Sequence, residues 1–144
     1  MATKLDVNYL CPNCKSHLRV WNNIILTVRS CVEDKQGLLL LNPNLGNYEF
    51  ISHHKLEFND MECIDFFCPV CSVDLTAKDV NKNLARILMT DENDKVYDLY
   101  FSRLRGQQST FKVSNGDIVE KYGKDSSAYV DYFMARFRQE KEKS

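Results

Sequence analysis

The sequence predicts an α+β protein made of antiparallel strands with one helix at its C-terminal end. Short runs of alternating apolar and polar residues recur along the chain, separated by Asn, Asp, Gly and Pro. The Asn115-Gly116 pair joins two such runs, which is typical of a tight β-hairpin. After residue 125 the apolar spacing changes to the period of a helix.

The segment between residues 15 and 67 has the pattern of an antiparallel meander. Alternation from residue 24 to residue 32 puts Ile24, Leu26, Val28 and Val32 on one face. The run at residues 38–41 is wholly apolar, which is typical of a strand covered on both faces. Two more strands are predicted at residues 48–52 and 61–67.

The second half of the chain predicts a smaller antiparallel sheet. A polar connector at residues 76–83 separates this sheet from the meander. Its strands are predicted at residues 85–90, 96–103, 109–113 and 117–122. We therefore divide the chain into regions 1–75 and 76–144, and we expect them to pack as one unit because the connector is short.

The last element is predicted to be an amphipathic helix. Asp125 or Ser126 can cap its N-terminus. Its predicted apolar face consists of Tyr129, Val130, Phe133, Met134 and Phe137. Basic residues gather toward its C-terminal end, where they suit the helix dipole: Arg136, Arg138, Lys141 and Lys143.

The composition is that of an ordinary globular protein. The chain has 144 residues, of which 44% are hydrophobic and 27% charged, and a formal net charge of −1. This near-neutral charge disfavours nucleic acid as a partner. No run is long and apolar enough for a membrane helix, and the first residues lack the apolar core of a secretory signal. We therefore expect a cytoplasmic protein with no membrane partner.

Four of the six cysteines form two C-x-x-C pairs, which is metal-ligand spacing. The pairs are Cys11-Pro12-Asn13-Cys14 and Cys68-Pro69-Val70-Cys71, here called the first and second knuckles. Four thiolates complete a tetrahedral shell and leave no position for water or substrate, so a structural site is favoured over a catalytic one. Six cysteines without an export signal argue against a disulfide framework.

The chain resembles the zinc ribbons from Cys11 to Leu75, where two C-P-x-C knuckles bracket a β-rich insert. The resemblance implies one structural zinc ion held by Cys11, Cys14, Cys68 and Cys71. The spacer is longer than in ordinary zinc ribbons, so the meander would be an enlarged ribbon. Residues 76–144 carry no family motif that we identify.

Iron is the alternative metal for the same four cysteines. The knuckles also resemble those of rubredoxins, which commonly have glycine after the second cysteine of each knuckle. Lys15 and Ser72 occupy these positions here. Because such glycines let backbone amides approach the sulfur atoms, their absence favours zinc.

Several residues beside the knuckles have two interpretations. Cys31 and Cys63 could bind a second metal ion with His53 and His54, but the favoured interpretation is that both cysteines are small apolar residues on strands. Adjacent histidines on an extended chain point to opposite faces, so this pair is expected in a solvated loop. His17 could replace a cysteine ligand, and Trp21 is expected to pack over the metal site.

Basic and aromatic residues near residue 100 could form a surface for single-stranded nucleic acid. They are Arg103, Arg105 and Lys112 with Tyr97, Tyr100, Phe101 and Phe111. Aromatic residues at strand spacing more often belong to a core, which is the favoured interpretation. The sequence contains no nucleophile motif, Walker lysine or H-E-x-x-H motif, so we predict no enzyme activity.

The sequence therefore supports three functions in descending order. The first is a structural-zinc protein that serves as an interaction or accessory module for another protein. The second is a rubredoxin-like electron carrier with iron in the four thiolates. The third is a zinc ribbon that binds nucleic acid, which the charge balance makes the least favoured.

Overall fold

The computed structural model describes residues 7–135 and consists mainly of two five-stranded antiparallel sheets, with a short helix at the end. This arrangement confirms the predicted α+β class. In chain order the strands are β1 (Asn8–Leu10), β2 (Arg19–Val20), β3 (Asn23–Ser30), β4 (Gln36–Leu41), β5 (Phe50–Ser52), β6 (Ile64–Phe67), β7 (Leu84–Thr90), β8 (Val96–Ser102), β9 (Thr110–Ser114) and β10 (Asp117–Tyr122).

The inter-knuckle sheet contains β2 to β6 and is not the simple meander that the sequence predicted. Strand β6 pairs with β3, whereas a meander would pair it with β5. Because β4 occupies one edge of β3, both β2 and β6 lie on its other edge, β2 at the start and β6 toward the end. This return brings the chain before the second knuckle next to the chain after the first.

The alternation predicted for β3 is confirmed for Ile24, Leu26 and Val28, which are buried. The strand ends at Ser30, however, and Val32 is 73% exposed, so the prediction that Val32 lies on the same face was wrong. The wholly apolar run in β4 is covered on one face only. Leu39 is buried there, but Leu38 is 53% exposed, so the prediction of a strand covered on both faces was wrong. The sheet has one packed face, and the outer side of β4 has no layer over it among residues 7–135.

The second sheet has the strand order β1-β7-β8-β9-β10. The predicted hairpin is present: Ser114 pairs with Asp117, and Asn115 and Gly116 have φ angles of 52° and 81°. Positive φ at both positions is the type I′ turn that suits twisted strands. Strand β1, which precedes the first knuckle, pairs with β7. The division into regions 1–75 and 76–144 stays a prediction.

Two apolar clusters hold these layers together. The larger cluster joins both sheets, and the rings of Phe66 and Phe101 meet edge to face at 5.1 Å within it. The smaller cluster packs the C-terminal segment against the second sheet, where Phe133 contacts Tyr100 and Phe111 at ring distances of 4.9 and 4.5 Å. The second sheet is thus packed on both faces.

The C-terminal helix starts with a 3₁₀ turn, Ser126–Tyr129, and is helical through residue 135, where the described part of the chain ends. Tyr129 and Phe133 are buried as predicted, whereas Met134 is 52% exposed. Asp125 stands at the N-cap, but its carboxylate accepts a hydrogen bond from the Gln108 amide instead of capping the helix. The predicted Phe137 and basic C-terminal residues lie outside the described residues. No helix in residues 7–135 is long and apolar enough to span a membrane.

Candidate metal centre

The two knuckles bring four sulfur atoms into one group. All four atoms lie within 4.8 Å of one another, with Sγ–Sγ distances of 3.7 Å for Cys11–Cys71 and 3.7 Å for Cys14–Cys68. A tetrahedron with metal–sulfur bonds of about 2.3 Å has edges of about 3.8 Å. The four predicted cysteines therefore fit one tetrahedral metal ion, and as free thiols they are too far apart for a disulfide.

Each knuckle is held by the same backbone hydrogen bonds. In the first, the Lys15 amide donates to the Cys11 carbonyl at 3.0 Å, and the Cys11 amide donates to the Ser16 carbonyl at 3.0 Å. The second knuckle repeats both bonds at 2.9 and 3.1 Å. Two copies of one turn therefore face each other across the sulfur atoms.

The residue after each knuckle has the left-handed backbone conformation that favours glycine. Lys15 has a φ of 62° and Ser72 a φ of 66°. Non-glycine residues adopt this conformation at a cost of about 1 kcal/mol. The knuckles therefore have the turn that glycine favours without containing glycine. For this reason the missing glycines do not distinguish zinc from iron.

Backbone amides point at the inner sulfur atom of each knuckle. The Cys11 sulfur accepts hydrogen bonds from the amides of Asn13 and Cys14, at 3.3 and 3.5 Å. The Cys68 sulfur accepts two equivalent bonds at 3.3 and 3.4 Å. Such donors stabilise the negative charge of a thiolate and so support metal binding.

The four sulfur atoms differ in their surroundings. Cys11 and Cys68 are buried in the larger cluster, whereas Cys14 and Cys71 are half-buried. Burial raises the pKa of the Cys11 thiol to about 12. The side-chain hydrogen bond between Cys14 and Ser16 lowers the pKa of Cys14 to about 6, and the Asn13 side-chain amide, 3.5 Å from the Cys71 sulfur, lowers the pKa of Cys71. Cys14 and Cys71 are therefore more readily ionised than Cys11.

The two other residues expected near the site do not contribute to it. His17 is exposed and lies outside the four-cysteine group. Trp21 is 73% exposed, so the prediction that it packs over the metal was wrong. It lies in the short turn between β2 and β3 with a φ of 54°, and this turn directs its side chain to solvent.

The remaining cysteines form a disulfide, which corrects both predictions made for them. Cys31 and Cys63 are bonded, with Cα atoms 5.3 Å apart. Cys31 is exposed just after β3, Cys63 is half-buried just before β6, and the Cys31 amide donates to the Cys63 carbonyl at 3.0 Å. The pairing of β3 with β6 brings the two cysteines together. The sequence pattern, which predicts a meander, does not reveal this pairing.

The histidines do not join the second cysteine pair. The acidic residue grouped with Cys31 and Cys63 is Asp65, and no histidine of the described chain is part of that group. His53 and His54 are exposed as predicted, but their rings stack with centroids 4.2 Å apart. The expectation that they point to opposite faces was wrong, because this segment is a turn and not an extended strand.

A buried carboxylate that sequence reasoning missed lies beside the disulfide. Glu62 accepts hydrogen bonds from the Ser30 hydroxyl at 2.5 Å and the Asn59 amide at 2.9 Å, and it pairs with Lys35 at 3.3 Å. The Ser30 bond is the main cause of a lowered Glu62 pKa. This network ties the end of β3 to the turn before β6.

The aromatic residues near residue 100 belong to the core, as the favoured interpretation predicted. Tyr97, Tyr100 and Phe111 are buried. Arg103 is buried as well, and its guanidinium pairs with Asp65 and donates to the Cys31 sulfur at 3.5 Å. These residues do not form an exposed stacking surface.

Comparison with known proteins finds no relative: no family model matches the chain, and no curated protein or solved structure matches it significantly. The resemblance to zinc ribbons therefore rests on the two knuckles. The structure itself shows a group of four cysteines that can bind a metal ion. The function has to be argued from this site and from the surface around it.

Proposed function

We propose that Cys11, Cys14, Cys68 and Cys71 bind one structural zinc ion, and that the protein is a non-enzymatic module that binds another protein. The observation that supports the zinc site is the arrangement of four free thiols at tetrahedral spacing. Four protein ligands leave no open coordination position, which is typical of structural and not of catalytic zinc.

The position of the site supports a structural role. Two of its sulfur atoms lie inside the cluster that joins both sheets, so the ion would connect the start of the chain to the end of β6. Metal binding in small zinc domains contributes roughly 10 kcal/mol or more to folding. A clamp of this strength would hold an inter-knuckle sheet whose strands are mostly short.

An apolar stripe on the outer face of the inter-knuckle sheet supports the interaction role. Ile25 pairs with Leu40, and Leu40 pairs with Ile51, so the three side chains are cross-strand neighbours on one face. Leu38 extends the stripe one step along β4, and Ile51 is 62% exposed. We propose that this stripe docks against an apolar surface of a partner protein, since contiguous exposed apolar residues typically mark such sites.

The metal is tested by elemental analysis of protein purified from cells grown with both zinc and iron. We expect one zinc per chain and no visible absorption. A Cys11→Ser/Cys68→Ser variant should lose the metal and unfold at a much lower temperature. A full-length wild-type protein that folds stably without any metal would contradict the proposal.

The interaction role is tested by two surface variants of equal polarity change. Ile51→Lys lies on the stripe, whereas Val96→Lys changes a 53% exposed residue in the second sheet. A partner recovered by crosslinking with wild-type protein should also be recovered with Val96→Lys and lost with Ile51→Lys. Equal recovery with both variants would rule out the stripe as the docking surface.

An iron electron carrier is the second candidate, supported by the turn geometry. The left-handed residues after each knuckle and the amides that point at Cys11 and Cys68 are features that tune the potential of iron–thiolate sites. This function requires a coloured protein with charge-transfer bands that bleach reversibly on reduction. A colourless protein containing zinc excludes it.

A further inference from the structure

A cavity of about 240 Å³ lies between the two sheets. Its apolar walls come from both layers, with Ile24, Leu39 and Phe66 on one side and Ile87 and Leu99 on the other. An apolar cavity of about 150 Å³ is large enough to bind benzene. This cavity can therefore hold an apolar group larger than one aromatic ring, about ten non-hydrogen atoms.

One cation lies at the edge of this apolar space. Arg105 lines the cavity, and its guanidinium lies 5.2 Å from the ring centre of Phe50, which also lines it. Arg105 makes no ion pair with any carboxylate of residues 7–135. By contrast, Arg29, Arg86 and Arg103 each pair with an aspartate.

Four other polar side chains of the lining are hydrogen-bonded in two pairs. The hydroxyl groups of Tyr48 and Thr110 are 2.9 Å apart, and the Ser102 hydroxyl donates to the Gln107 side-chain oxygen at 2.6 Å. Among the described residues Arg105 is the only cation of the lining, and the one carboxylate there, Glu49, is exposed and forms no ion pair with it. A ligand's acidic group would satisfy Arg105.

We propose that the cavity binds a small monocarboxylate with an apolar tail, its carboxylate on Arg105 and its tail between the sheets. A guanidinium binds a carboxylate with two parallel hydrogen bonds. The apolar walls favour the tail by the hydrophobic effect. The Phe50 ring holds the guanidinium in place before the ligand arrives.

The ligand can reach the cavity through the loop between β4 and β5. This loop forms one wall, and Gly46, Asn47 and Glu49 in it are exposed. The wall therefore extends from the apolar interior to solvent. The proposed binding is independent of the interaction role proposed for the outer stripe, which lies on the opposite face of the same sheet.

The test uses octanoate, octan-1-ol and acetate as probes on full-length, metal-loaded protein labelled with ¹⁵N. Octanoate should shift the amide signals of β7 and β8 residues in the wall, with saturable binding. Octan-1-ol should bind more weakly at the same signals, and acetate should leave them unchanged. Absence of octanoate shifts at these residues, or equal binding of octanoate and octan-1-ol, would overturn the proposal.

Variants at the cation separate the proposed site from surface binding. Arg105→Gln should weaken octanoate about tenfold or more, the loss expected for one charge-assisted interaction, and leave octan-1-ol unchanged. Arg105→Lys should restore most of the affinity. Arg29→Gln is the matched control, because Arg29 lies 5.1 Å from the Phe67 ring but outside the cavity. Octanoate affinity unaffected by Arg105→Gln would overturn the proposal, whatever happens to stability.

Discussion

Strand β6 has a cysteine at each end, and the sulfur atoms of these two cysteines have different partners. At its start, Cys63 forms a covalent bond with Cys31 in an exposed position next to β3. At its end, the buried Cys68 sulfur lies in the four-cysteine group, 3.7 Å from the Cys14 sulfur. Two sulfur atoms are bonded to each other at the exposed end, whereas the four thiols at the buried end can be connected by the proposed metal ion. The comparison implies that the metal clamp contributes more stability than the disulfide.

Loss of the metal should have the largest effect. The Cys68→Ser variant, or wild-type protein treated with a strong chelator, is expected to lose roughly 10 kcal/mol of apparent stability and so to unfold at room temperature. The reason is that the bonds from the ion to the four thiolates would be lost, and these bonds would connect the two knuckles. Circular dichroism with and without added zinc measures the effect.

The double variant Cys31→Ser/Cys63→Ser is the control for this prediction. It should keep one metal per chain, because neither residue lies in the four-cysteine group. If it lost the metal as completely as Cys68→Ser, the two ends of β6 would not be independent. The comparison between the two clamps would then fail.

Loss of the disulfide should have the second largest effect. The bond closes a loop with a sequence separation of 32 residues, and chain entropy for such a loop corresponds to about 3–4 kcal/mol. We expect Cys31→Ser/Cys63→Ser to lower the free energy of unfolding by this amount in urea titrations. A reductant should lower wild-type stability equally and leave the variant unchanged. Identical stability with and without reductant would contradict a disulfide in the folded protein.

The Glu62 network should make the disulfide end sensitive to acid. Hydrogen bonds hold the pKa of the Glu62 carboxyl below its usual value, so the ionised form stabilises the fold. This contribution is fully present above the pKa of an unfolded glutamate, about 4.3, and is lost as the pH falls through the lower folded pKa. Thermal melting between pH 7 and pH 3 should therefore show a steep loss of stability.

The Glu62→Gln variant should lower the melting temperature by several degrees at pH 7 and flatten its decline in acid. Glu57→Gln is the control, since Glu57 is an exposed carboxylate in the same part of the chain. An acid decline that is equally steep in Glu62→Gln would assign the titration to other groups.

Glycine at the knuckle turns should have the smallest effect. Lys15→Gly removes a left-handed conformation that costs about 1 kcal/mol, but it increases the entropy of the unfolded chain, so the net gain is expected below 1 kcal/mol. Asp94→Gly makes the same backbone change at a φ of 61° away from the sulfur atoms. Both variants should keep wild-type metal affinity. A tenfold change in metal affinity for Lys15→Gly, without a change for Asp94→Gly, would show that the backbone conformation of the knuckle turn affects metal affinity.

Local features of the fold and site were predictable, and features that depend on strand partners were not. The C-x-x-C spacing, the alternation in β3 and the Asn115-Gly116 turn each act within a few residues, so the sequence displays them. The partner of β6 is decided by packing between distant segments. The disulfide and the burial of Glu62 follow from that partner, which is why neither was foreseen.

The exposure of Trp21 shows the same limit at shorter range. Its neighbours in sequence suggested a position over the metal, but the direction of a turn side chain depends on how β2 pairs with β3. Lys15 and Ser72 show the reverse, because local structure overrides the residue type. Each follows a C-x-x-C knuckle and adopts the left-handed backbone conformation, although lysine and serine do not favour it.

One measurement tests the four-cysteine metal site most directly: free thiols and bound metal counted on the same protein sample, purified without reductant and denatured with guanidinium. The four free thiols and the disulfide of the structure predict four titratable thiols, and our proposal adds one metal ion per chain. Six thiols with one metal would contradict the disulfide alone. A folded protein with no bound metal would contradict the central claim.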